Sequence, residues 1–160
     1  MAYLPTAEEL GKALDDVYYE IWQLAFLAAL SASEPWLNNA ILESRLLHVR
    51  NLLHFFEGSL RRKDDVLATD YGFPASAIAV EALYRERLNK DLTHLTYSRT
   101  RRSASDRAWP HDRVIAPVLA RCHSFAEHVL ATRSTYGAKT KQDWQSLLVT
   151  LEKEREAFSS

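Results

Sequence analysis

Cysteine occurs once in the 160 residues, glycine four times and proline five times, and each scarcity closes off a class of protein. A lone Cys122 has no partner for an intramolecular disulfide. So few glycines and prolines leave little turn punctuation for the short, closely spaced strands of a sandwich or barrel. Long apolar runs are missing too: the richest, IWQLAFLAAL at 21–30, is interrupted by Gln23 and has about half the length a bilayer span requires. No segment has the basic, apolar and small-residue order of a signal peptide, so the expected location is cytoplasmic, away from the membrane. There is no glycine-rich phosphate loop, no H-E-x-x-H and no paired-cysteine zinc motif. His111, His123 and His128 lack regular ligand spacing, and His123 and His128 point about 140° apart on a helix. No metal and no cofactor are expected.

What remains favours helix. Apolar side chains make up 47% of the chain, sufficient for one proper core, and Ala, Leu, Glu and Arg are abundant. The expected architecture is a single all-α domain over residues 1–160, a five-helix antiparallel bundle. Thr6 and Glu9 form a capping box that opens a first helix running to about Leu30. Ser33 or Ser31 caps a second, which Leu42, Leu46, Val49, Leu53 and Phe56 carry to a stop at Gly58. Residues 59–76 read as a connector with one helical turn around Val66, in which Asp64, Asp65 and Asp70 are hydrated or cap a turn. A third helix is predicted from near Ala75 to about Tyr97, with Tyr84, Leu88, Leu92 and Leu95 at helical spacing. A fourth, capped by Asp112 and with Pro117 delaying its start, reaches about Arg133. Thr140 and Asp143 form a weaker capping box for the last, whose Trp144, Leu147, Leu148 and Leu151 share one side. Cys122 is expected to be a buried thiol.

The net charge of −1 conceals an asymmetry. Residues 1–44 carry one basic and seven acidic side chains, and residues 85–113 carry eight basic and four acidic ones. Such a distribution orients an anionic partner even on a nearly neutral molecule. The basic stretch includes RLNKDLTHLTYSRTRR at 87–102. At 100° per residue, Arg87 and His94 leave the same side of a helix about two turns apart, flanking the apolar stripe of Tyr84, Leu88, Leu92 and Leu95. A partly shielded imidazole can be held in one tautomer there, and a guanidinium can meet an anionic oxygen.

Arg87, six intervening residues and His94 resemble the R-x(4–6)-H signature of HEPN domains. These are small helical bundles, many of them metal-independent ribonucleases of toxin–antitoxin and antiviral systems. The wider block of RNLLHFFEG, DDVLATDYGF and LNKDLTHLTYSR also looks like that of small bacterial helical proteins, over roughly residues 45 to 102. The pattern departs from the family in one place: the residue after the arginine is Leu88 where the family commonly has a polar one, and Asn89 follows a place later. The resemblance implies a HEPN-like fold, catalysis by Arg87 and His94, a single-stranded RNA substrate and a homodimer that brings two motifs together. In metal-free cleavage the neighbouring 2′-hydroxyl attacks phosphorus, so a histidine near neutral pKa suits proton transfer and an arginine suits the phosphoryl oxygens. Lys90, Tyr97, Arg99, Arg101 and Arg102 are then placed to track phosphates and stack on a base.

A second constellation lies in LLHVRNLLHFF, where Arg50 and His54 are i,i+4 neighbours facing the third helix or a dimer partner. With Asn89, they are expected to stand behind His94 and orient it, whereas His48 and Asn51 read as satisfied core polar groups. Because Arg87 and His94 only flank the stripe, replacing either with Ala is expected to lower cleavage about a hundredfold without unfolding the chain. The competing reading is a non-catalytic α-helical module that binds a protein partner, with the acidic first helix and the basic 97–107 segment as complementary surfaces.

Overall fold

The computed structural model describes residues 3–58, 64–92, 97, 101–103 and 107–157. Among these, all regular structure is helical: α1 (Ala7–Ala29), α2 (Pro35–Glu57), a 3₁₀ turn η1 (Ala68–Tyr71), α3 (Ala82–Lys90), α4 (His111–Val114), α5 (Ala116–Thr132) and α6 (Lys141–Ala157). No described helix is long and apolar enough to cross a membrane.

The helix ends follow local chemistry at most places. The Thr6 hydroxyl accepts from the Glu9 amide at 3.2 Å, and the Glu9 carboxylate accepts from the Thr6 amide at 2.7 Å, each satisfying a donor that the first turn leaves orphaned. Hydrogen bonds from Tyr3 and Thr6 hold the Glu9 carboxyl down at about 2. The Thr140–Asp143 box is present as well, with reciprocal bonds of 2.7 and 3.1 Å. Gly58 ends α2 at φ +50°, a left-handed conformation that costs glycine little. The start of α2 differs from expectation: Glu34, not a serine, is its N-cap, with no side-chain bond there, and Pro35 sits in the first turn, where its missing N–H is one the helix would leave unpaired anyway.

Two further differences have physical causes. The predicted fourth helix is split into α4 and α5 at Ile115, with Pro110 rather than Asp112 before α4. Pro117 lacks the N–H that the Arg113 carbonyl would accept, so the helix cannot run continuously through this point. The third helix begins seven residues later than its periodicity suggests. Residues 73–81 form an irregular strap that buries Ile78 and Val80. The Ile78 amide donates to Glu57 at 2.8 Å, and Arg85 donates to the carbonyls of Ile78 and Val80 at 2.6 and 2.8 Å. These tertiary bonds satisfy strap groups that a helix would have paired internally, and they override the propensity of the alanines. The helical turn expected around Val66 forms two residues later, as η1, where Asp70 accepts from the Leu67 amide at 2.9 Å.

The four long helices pack around one core. At its centre Phe125 on α5 meets Phe55 and Phe56 on α2, Tyr71, Phe73 and Trp144 on α6, with ring centroids 5.2–6.2 Å apart, distances at which edge-to-face pairs add to simple burial. α1 and α2 run antiparallel: Glu20 reaches His48 at 2.8 Å, and Arg45 reaches the Leu27 carbonyl at 2.6 Å. The α5–α6 link turns at Gly137, φ +68°, where an added Cβ would lie 2.5 Å from the Gly11 carbonyl oxygen and from Asp15. Asp15 accepts from the amides of Ala138 and Lys139, so neither the loop nor α1 can yield without losing these bonds. Gly137→Ala is expected to destabilise the fold by about 2–3 kcal/mol, read as a lower denaturant midpoint at unchanged slope. An unchanged midpoint would show that this contact does not pin the loop.

Candidate functional site: two clefts flanking α3

α3 lies across α2, seated by Leu88, whose side chain is fully buried. The residues on either side of Leu88 line separate clefts. The first, about 550 Å³, is formed by Arg87 and Asp91 of α3, Arg102, Arg107 and Trp109 of the following segment, and Asn39 and Glu43 of α2 among others. The second, about 480 Å³, lies over the C-terminal half of α2 and includes Arg50, His54, Glu57, Asp65, Arg85 and Asn89.

In the first cleft, Arg87 is only 3% exposed, not beside the stripe in partial shelter. Its two terminal nitrogens donate to the carbonyls of Ala108 and Arg107 at 2.7 and 2.8 Å. Its guanidinium carbon sits 3.8 Å from the centroid of the Trp109 ring, within cation–π range. The cause is non-local. The chain returns at 107–109 and closes over a side chain that helical geometry alone would leave at the margin of the stripe. Replacing Arg87 is therefore a structural as well as a chemical change, which corrects the expectation that folding would be indifferent to it.

Asp91, one helical turn on, lies with Oδ2 3.4 Å from Arg87 Nε and also bonds Arg102. Its Oδ1 is buried, with no hydrogen-bond partner among the described residues. Burial and the nearby Arg102 charge push Arg87 below the ordinary guanidinium range, and Asp91 acts in the opposite direction. An arginine remains protonated at neutral pH nonetheless. Arg107 and Arg101 are exposed, and Tyr97 is 84% exposed. Lys90 turns away to Glu86 at 2.8 Å. His94 and Arg99 lie outside the described residues.

The second cleft gathers Arg50, His54 and Asn89, all singled out from sequence, on the opposite side of α3 from Arg87. Arg50 Nε donates to Asn89 Oδ1 at 3.2 Å, so of the two orientations foreseen for the Arg50 face, the described contact is with α3. His54 Nε2 is 3.0 Å from Asp65 Oδ2. Glu57 and Arg85 form a two-pronged pair at 2.6 and 2.7 Å. Burial raises the Glu57 carboxyl, but bonds from Arg85 and the Ile78 amide outweigh it and leave the group below its usual range.

The other polar candidates are structural. His48 is buried with Nδ1 2.8 Å from Glu20, and Asn51, though exposed, donates to the same carboxylate at 3.3 Å. His128 Nε2 lies 2.9 Å from the Tyr71 carbonyl oxygen, and His123 lies 3.4 Å from Glu127. No group of three or more His, Cys, Asp or Glu among the described residues is arranged to hold a metal ion. Cys122 is fully buried, and burial pushes its thiol far up. Because the thiolate is the reactive form, iodoacetamide should leave the folded chain unmodified and label it after denaturation. Rapid native labelling would contradict this burial.

Sequence reasoning missed Asp91, Trp109 and Arg107 in the first cleft and the Asp65–His54 contact in the second. Asp91 was within reach, since it is four residues from Arg87 on one helix. Trp109 and Asp65 carry no local signal, being brought in by tertiary structure. No family model, curated protein or solved structure matches the chain.

Proposed function

We propose that this protein is a HEPN-like helical protein that binds single-stranded RNA along the first cleft and the basic segment after α3. The observation that carries the reading is the convergence of Arg102, Arg107 and the Trp109-stacked Arg87 on one cleft, continued by exposed Arg101 and Tyr97. Phosphates track the arginines, and Tyr97 offers a face on which an unpaired base stacks. Lys90 and Arg99 extend the basic track in sequence.

In this reading Arg87 positions the 107–109 segment, and its charge reaches the substrate through the cleft. Cleavage rests on His94. The 2′-oxygen forms a bond to phosphorus as the bond from phosphorus to the 5′-oxygen breaks, His94 takes the 2′-hydroxyl proton, and the departing 5′-oxygen takes a proton from water. A 2′,3′-cyclic phosphate results. Incubation of the full chain with a labelled single-stranded RNA pool in EDTA should give cyclic-phosphate ends, and His94→Ala should slow the reaction about a hundredfold. Unchanged cleavage by a folded His94→Ala protein would remove His94 from the chemistry. No cleavage by the wild type would leave RNA binding as the activity.

The homodimer belongs to the same proposal and draws support from α1. Tyr19, Trp22, Phe26 and Leu30 are all exposed, with Trp22 and Phe26 stacked at 5.4 Å. Tyr19, Trp22 and Phe26 are spaced three and four residues apart on α1, the pattern by which a helix packs on another helix, and Leu30 follows at the C-cap. A second copy placed on this stripe would bury it symmetrically. Light scattering should give twice the 18.3 kDa chain mass at micromolar concentration, and Phe26→Glu should give the monomer. A wild-type monomer would instead favour the second reading, a protein-interaction module whose partner covers this stripe.

A further inference from the structure

The second cleft has no part in RNA binding as proposed above, yet its polar groups converge. We infer that it is a binding site for a phosphate group, held between Arg50 and His54 on successive turns of α2.

The charges in this cleft are unevenly spent. Glu57 is committed twice over, to both prongs of Arg85 and to the Ile78 amide, and Asp65 lies against His54. Arg50 is the lining cation that no described carboxylate compensates. Only its Nε is engaged, by the neutral amide oxygen of Asn89, and neither terminal nitrogen has a hydrogen-bond partner among the described residues. Asn89 therefore orients the guanidinium without cancelling its charge, the arrangement that favours two-pronged capture of a tetrahedral anion.

His54 adds the second contact. With Nε2 turned to Asp65, the ring's remaining polar atom is Nδ1, which is left to hydrogen-bond a phosphate oxygen or hydroxyl. The two side chains are four residues apart and so lie on one face of α2. At about 480 Å³ the cleft has room for a phosphomonoester with its attached group as well as for the free ion. A divalent cation is disfavoured because both nearby carboxylates are already paired and Arg50 would repel it.

The test is imidazole ¹H–¹⁵N NMR of the full chain titrated with inorganic phosphate and, in parallel, with adenosine 5′-monophosphate. Both ligands should shift the His54 ring signals saturably at concentrations on the order of 1–10 mM, while His48, His123 and His128 stay in place. Tighter binding of the nucleotide identifies a phosphomonoester ligand, and equal binding identifies the phosphate group alone as what is recognised. Arg50→Gln should weaken binding at least tenfold with the helical circular dichroism retained, and Arg50→Lys should recover little because the fork is lost. If Arg50→Gln fails to fold, Arg50→Lys and His54→Gln, followed by ³¹P line broadening, carry the same expectation.

No saturable His54 shift in the wild type overturns the proposal, as does phosphate binding undiminished in the folded Arg50 and His54 variants. Its failure is separable from that of the RNA reading, because Arg102→Gln and Arg107→Gln should weaken RNA binding and leave the His54 shift intact.

Discussion

Arg87→Ala is expected to lower the free energy of unfolding by about 3 kcal/mol, the scale on which breaking a buried, hydrogen-bonded charge network falls. The substitution removes both bonds to the Arg107 and Ala108 carbonyls and the stack on Trp109. It also leaves Asp91 to Arg102 alone. For a chain of this size the melting temperature should fall by roughly 10 °C. Arg87→Lys should restore less than half of the loss, since an ammonium cannot span two carbonyls while lying flat on an indole. Thermal melts followed by circular dichroism would measure both variants. An unchanged melting temperature together with abolished RNA cleavage would show instead that Arg87 acts on the substrate and that its bonds to 107–108 are dispensable.

The second large effect concerns affinity. Converting Arg101, Arg102 and Arg107 together to Gln should weaken single-stranded RNA binding by about a hundredfold at low salt and reduce the salt dependence by roughly two counterions, because each phosphate contact on a single strand contributes about 0.7 to the slope. Arg101 and Arg107 are exposed, so replacing those two alone should cost affinity with no change in melting temperature. Arg102 also pairs with Asp91, so adding it should bring a small loss of stability as well. Fluorescence anisotropy with a labelled oligonucleotide across a salt series separates the two. Affinity and slope both unchanged in the triple variant would take the segment out of the site.

Local signals in the sequence were sufficient for the helical class and for several helix ends. Thr6 with Glu9, Thr140 with Asp143 and the left-handed Gly58 each act within four residues, and each appears where a reading of the chain puts it. His48 as a buried group follows from its apolar neighbours Leu47 and Val49, and Cys122 is buried as a lone cysteine commonly is. What local pattern could not convey was the return of distant segments. The 100° rule placed Arg87 at the margin of the stripe, and only the closure of Trp109 over it, 22 positions away, turns margin into interior. The alanines at 75–82 favour helix in isolation, yet Glu57 and Arg85 hold Ile78 and Val80 in an irregular strap. Pro117 was recognised as an obstacle, and it acts by dividing one helix in two. Arg50, His54 and Asn89 share a cleft, and Asp65 joins them through a connector whose path no periodicity specifies. His94 falls among residues 93–96, outside the described chain.

The most direct test of RNA binding at this site is ultraviolet cross-linking of a uniformly labelled single-stranded RNA to the full chain, followed by mass-spectrometric mapping of the attached peptide. Tyr97 is the most exposed aromatic side chain on the basic segment, so the cross-link should fall on the peptide that contains it, and addition of salt should suppress it. A cross-link confined to the aromatic stripe of α1, or none at low salt where electrostatic binding is strongest, would contradict the account.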